Sequence, residues 1–114
     1  MIEEGKDVEV SGRSTIERKP QFRGGEKARL KFLNDNIVYP AEAKQNKISG
    51  RVYVQFVVKT DGSVNEVKII KGVDKSLDEE AVRVVKKMPT WQPGKDAKGN
   101  RVNVLYTMPI EFVL

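Results

Sequence analysis

RVYVQFVVKTDGSVNEVKIIK, residues 51–71, is the stretch on which the rest of the chain is read. Val52, Val54, Phe56 and Val58 point one way and Arg51, Tyr53, Gln55 and Lys59 the other, the period of two of a strand with one packed face and one wet face. Thr60-Asp61-Gly62-Ser63 supplies an Asp-Gly turn, so residues 64–71 are expected to return antiparallel as the second arm of a hairpin. Val64, Val67, Ile69 and Ile70 do not keep one parity, which predicts a bulge or burial on both faces.

Downstream, Ser76 and Glu79 have the spacing of a capping box, predicting a helix from Leu77 to Met88. Leu77, Ala81, Val84, Val85 and Met88 fall on one helical face, and Pro89 ends the helix. Trp91-Gln92-Pro93-Gly94 is a rigid connector, followed by a polar turn over residues 96–100. The closing strand, Arg101 to Phe112, sets Val102, Val104, Tyr106, Met108, Ile110 and Phe112 on one face, with Arg101, Asn103, Leu105 and Thr107 on the other. Pro109 cannot donate to a ladder, so this strand is expected at a sheet edge or with a bulge. The expected fold class is α+β: a three-stranded antiparallel sheet with residues 51–59 central, packed against one main helix, with one or two short N-terminal helices.

Upstream, Gly24-Gly25 reads as a helix-entry turn; two glycines without longer phosphate-loop spacing are a weak anion signal. Glu26, Leu30, Leu33 and Ile37 fall near one face of a short amphipathic helix that ends before Tyr39-Pro40, and a brief helix follows over residues 41–45. Residues 1–21 mix charges and small residues, with brief alternation at Val8-Glu9-Val10. They read as a flexible leader or linker with room for one short strand, and residues 22–114 as the domain.

The length of 114 residues suits one domain with a modest core. Absence of cysteine and histidine removes thiolate chemistry and the commonest general base and metal ligand. The net charge of +5 suggests an anionic partner without choosing one. No apolar run approaches the roughly 20 residues of a membrane helix, and the first residues lack the pattern of a signal peptide. As it stands, the chain reads as soluble. Asp78, Glu79 and Glu80 are adjacent acids in a first helical turn, which fits the helix dipole better than a metal site. A lone Trp91 beside basic residues is one way to stack a base or sugar, but is more often a core plug. Tyr53 and Phe56 have opposite parity, which does not suit a nucleic-acid platform, and no convergent nucleophile, base or metal set is present.

Six features stand in order over residues 39–114: Tyr39-Pro40, Gly50-Arg51-Val52, Asp61-Gly62-Ser63-Val64, the helix from Leu77 to Met88, Trp91-Gln92-Pro93-Gly94, and the valine-rich strand from Val102 to Phe112. In this order they resemble the TonB C-terminal domain family. Phe22-Arg23-Gly24-Gly25-Glu26 is similar to an upstream extension of Bacteroidetes-like members. The resemblance implies a non-enzymatic adaptor without cofactor, the periplasmic domain of an inner-membrane-anchored protein. Such a domain binds the TonB box of outer-membrane receptors for scarce nutrients such as siderophores, vitamin B12 or glycans. It further implies ExbB and ExbD as partners of a membrane segment absent from these 114 residues, which are expected to be an excised domain, and it allows a homodimer by exchange of edge strands. Another membrane protein ending in the same module, such as a sensor-type peptidase, is an alternative parent; a basic nucleic-acid-binding module is the alternative from a different class. By motif, the docking strand falls on Arg101, Val102, Asn103, Val104, Leu105, Tyr106 and Thr107, with Asn36, Tyr39 and Pro40 near the other end of the peptide.

Overall fold

The computed structural model describes residues 6–9 and 16–114; the remainder of the expected leader, residues 1–5 and 10–15, lies outside the described residues. The elements run β1 (Lys6–Glu9), β2 (Ile16–Arg18), α1 (Gly25–Asn36), α2 (Ala41–Gln45), β3 (Gly50–Val58), β4 (Val64–Lys71), α3 (Lys75–Lys86), β5 (Gly94–Asp96), β6 (Arg101–Val102) and β7 (Val104–Phe112). The class is α+β. A four-stranded antiparallel sheet has the order β1-β7-β3-β4, and a three-stranded sheet has the order β2-β5-β6.

β3 lies between β7 and β4, as the hairpin reading requires. The turn closes with Lys59 N–H donating to the Ser63 carbonyl at 2.9 Å and Gly62 N–H to the Lys59 carbonyl at 2.7 Å. Gly62 has φ +84°, and a Cβ there would stand 2.0 Å from the Trp91 carbonyl oxygen. Only glycine meets both demands. β4 carries one extra residue twice, between Lys68 and Asn65 and between Lys71 and Ile69. Glu66, at φ +53°, marks the first irregularity. The expected bulge is there, and it lets Val64, Val67 and Ile69 all pack against the core despite their broken parity.

Leu77, Ala81, Val84 and Val85 of α3, with Met88 just beyond it, are buried against Val52, Val54, Phe56 and Val58 of β3. The helix begins earlier than the capping-box reading placed it. Asp74 is the N-cap, accepting from Ser76 N–H at 3.1 Å and from the Ser76 hydroxyl at 2.6 Å. Asp78 reaches back to accept from Val73 N–H at 3.0 Å. Asp caps as well as Ser does, so two candidates two residues apart compete and the earlier one wins.

Two other expectations are corrected. The inward stripe of α1 is rotated: Leu30 is exposed, while Arg29 and Leu33 are buried and Ala28 and Phe32 pack against the core. Arg29 tolerates this position because Glu26, one turn earlier, pairs with its guanidinium; burial lowers the pKa of that guanidinium. The second face of β3 is not wholly wet either. Tyr53 stands between Lys71 and Pro109, and Val57 between Asn65 and Leu105. Both are buried, because a central strand is covered from each side by its cross-strand neighbours.

Candidate docking edge

The expected docking strand is divided. Arg101 and Val102 pair with Lys95 and Gly94 in the small sheet, whereas Val104 onward pairs with β3. Asn103 is the junction, its side-chain oxygen accepting from Thr60 N–H at 2.9 Å. A continuous free edge from Arg101 to Thr107 is therefore not what the fold presents. Over Val104–Thr107 the side of β7 away from β3 carries β1.

Which backbone groups face that side follows from one hydrogen bond. Lys59 N–H points to Ser63 across the hairpin, so by alternation Tyr53, Gln55 and Val57 turn their backbone groups toward β4, and Val54, Phe56 and Val58 turn theirs toward β7. Their partners Met108, Tyr106 and Val104 bond back to β3. Leu105, Thr107, Pro109 and Glu111 consequently direct their backbone groups outward. Pro109, which has no N–H, sits where β3 asks for no donor and beyond the last residue that β1 covers, so among the described residues it has the local edge position expected of a strand proline.

The side chains sort the same way. Val102, Val104 and Tyr106 are buried, with the Tyr106 ring 5.0 Å from Trp91 and 5.5 Å from Phe56. They anchor the strand and offer a partner nothing directly. Arg101 is exposed, Asn103 and Leu105 are half-buried, and Thr107 is buried. Trp91 is a core plug, edge-on to Phe22 and Phe56 and 1% exposed, and its indole N–H has no hydrogen-bond partner among the described residues.

Asn36, Tyr39 and Pro40 form a corner at the other end of β7. The Tyr39 ring meets Phe112 edge-on at 5.7 Å, and its hydroxyl donates to the Ile48 carbonyl. Leu105 and Phe112 are seven positions apart, about 23 Å along a strand, so this corner lies at the far end of the edge. Asn36 donates its side-chain amide to the Phe32 carbonyl at 2.8 Å and accepts at its own carbonyl from Arg83 at 2.8 Å. Its amide is thus engaged in its own helix.

Glu80 holds this corner, a role that the dipole reading missed. It is buried, accepting from Val38 N–H at 2.7 Å and from Arg83 Nε at 2.7 Å and Nη2 at 2.6 Å. Burial acts to raise its carboxyl pKa, but the hydrogen bonds from Arg83 and Val38, with the nearby charges of Arg83 and Lys87, together outweigh that and leave it below the usual carboxylate range. The spacing Glu80-x-x-Arg83 was the available sequence signal.

Among the described residues, no group of three acids, histidines or cysteines is placed to hold a metal ion. Nor, among them, is any helix long and apolar enough to cross a membrane.

Residues 35–114 match the family model described as the Gram-negative bacterial TonB protein C-terminal. The chain is similar to Protein TonB of Escherichia coli strain K12, 35% identical over 68 residues, covering 60% of this chain and 28% of that protein. It is also similar to Protein TonB of Salmonella typhimurium, 31% identical over 70 residues, covering 61% of this chain and 29% of that protein. The chain thus spans less than a third of the length of these curated relatives. Among solved structures, the NMR solution structure of a Helicobacter pylori TonB C-terminal domain superposes with a TM-score of 0.57 at 23% identity, covering 75% of this chain and 76% of that one. A shorter form of the same domain gives 0.58, covering 76% and 90%.

Proposed function

The chain belongs to the family of TonB C-terminal domains, and on that footing we propose that it is a periplasmic adaptor whose β7 edge takes up the TonB box of an outer-membrane receptor by strand addition. The parent protein in this reading is anchored in the inner membrane, works with ExbB and ExbD, and transmits energy for nutrient uptake. The domain itself makes and breaks no covalent bond.

One observation carries the site. The outer side of β7 accepts an extended segment: β1 lies there antiparallel, with Lys6 opposite Thr107 and Val8 opposite Leu105. An edge of outward amides and carbonyls on a strand anchored by Val104, Tyr106 and Met108 is the surface that an extended peptide extends. Several backbone hydrogen bonds loaded together suit an interface that must bear a pull.

Within the expected set, Leu105 and Thr107 supply the ladder. Val102, Val104 and Tyr106 position it, and Tyr39-Pro40 bounds its far end. Leu105→Pro tests this, because it removes an outward amide that β3 does not use, whereas Leu105→Ala keeps the amide. Binding of a synthetic TonB-box peptide, read by calorimetry, is expected to be lost in the proline variant and near normal in the alanine variant. Equal binding by two folded variants would refute strand addition at this edge.

A further inference from the structure

We infer that Lys6–Glu9 is an internal occupant of the strand-accepting edge, and that a receptor peptide engages the domain by displacing it. The inference rests on the strand-addition reading. Lys6, Asp7, Val8 and Glu9 stand opposite Thr107, Tyr106, Leu105 and Val104. Since Leu105 and Thr107 face outward, Val8 and Lys6 take the hydrogen-bonded positions of the ladder. Those are the backbone groups that an added peptide needs. One ladder cannot serve two strands.

The occupant is built to yield. It is four residues long, and the net worth of its few hydrogen bonds in water is matched by the entropy of ordering it. Its advantage is attachment: six residues separate Glu9 from Ile16, which is itself paired with Asp96, so the strand is presented to its own edge at a high effective concentration. Its reach is also limited. Beyond Thr107, Pro109 and Glu111 have no strand on their outer side, away from β3, among the described residues. A peptide continuing along them toward Tyr39-Pro40 gains contacts that β1 does not make. Until it arrives, the filled edge is shielded from pairing with another copy of the chain.

The test uses the full chain. Val8→Pro removes the amide that pairs with Leu105, and Val8→Ala retains it. A Val8→Cys, Leu105→Cys pair closes the edge covalently: the chain has no other cysteine, and Cα atoms about 5.5 Å apart in a hydrogen-bonded pair lie within disulfide reach. Hydrogen exchange at the Leu105 and Thr107 amides is expected to be slow in the parent chain and in Val8→Ala, and roughly tenfold faster in Val8→Pro. Unchanged exchange at Val54 and Phe56 would report an intact fold. A synthetic TonB-box peptide should bind Val8→Pro roughly two- to tenfold more tightly than the parent, the gain from freeing the competent state. It should fail to bind the oxidised cysteine pair and recover on reduction.

Equal exchange at Leu105 and Thr107 in parent and Val8→Pro would overturn the inference, as would binding to the oxidised pair. Protection that grows with protein concentration would overturn it too, by making the occupant a second copy. If Val8→Pro and the parent bind the peptide alike at Leu105, strand addition stands and displacement fails. If the amides respond as expected but Val8→Pro binds no peptide, strand addition itself fails.

Discussion

Glu80→Ala separates the corner of the site from its edge. The carboxylate accepts from Val38 N–H at 2.7 Å in a buried position, and its Arg83 partner also holds the Asn36 carbonyl at 2.8 Å. Removing it takes the charged acceptor from the Val38 amide, and a hydrogen bond to a charged group contributes about 1.5–3 kcal/mol. Arg83 is well solvated and is left out of the sum. The expected loss in urea unfolding is therefore about 1.5–3 kcal/mol, with an unchanged slope. The pH dependence has a definite sign. The Glu80 carboxyl is depressed in the folded state, so its contribution is complete above the ordinary value of 4.5 and is lost as pH falls through the folded-state value. The gap between wild type and Glu80→Ala should close on acidification below that pH. A loss under about 0.5 kcal/mol, or a gap that widens with acid, would refute this account of the corner. The functional corollary is that Tyr39 and Pro40 lose their support while Leu105 and Thr107 do not.

Gly62→Ala combines a positive φ with a contact against the Trp91 backbone, and should cost more than about 1 kcal/mol in thermal or urea melts; a neutral result would show that the turn is not docked there. Val84→Ala and Phe56→Ala each empty a fully buried position and should cost roughly 2–5 kcal/mol, measured by urea titration; unchanged melts would mean that the core is misplaced. Raising salt should slow peptide association moderately without abolishing binding, as stopped-flow rates would show, since exposed charges are already screened over about 8 Å at physiological ionic strength. Tight, steeply salt-dependent binding to DNA or RNA would point to a different partner.

The hairpin, the α3 stripe and the parity of the closing strand were legible because each is local: a period of two, an Asp-Gly turn, and apolar positions three and four apart. What escaped is non-local or too short to have a period. β1 is four residues, and its pairing with Val104–Thr107 is set by an edge nearly a hundred positions away. β2, β5 and β6 are two or three residues each, so the small sheet left no alternation to read. Arg29 hides in a buried stripe because its countercharge is one turn earlier on the same helix, and charge alone argues for the wrong face. In the closing strand the period of two was legible, but the split at Asn103 and the outward parity of Leu105 and Thr107 needed the register with β3.

The most direct measurement is an NMR titration of the isotope-labelled full chain with a synthetic TonB-box peptide, following backbone amides. The largest changes are expected at Leu105 and Thr107, with new cross-strand contacts from the peptide to that edge and release of Lys6–Glu9 from it. Saturable binding that leaves Leu105 and Thr107 unmoved, with changes confined to the surroundings of Trp91 or to the exposed face of α3, would contradict it.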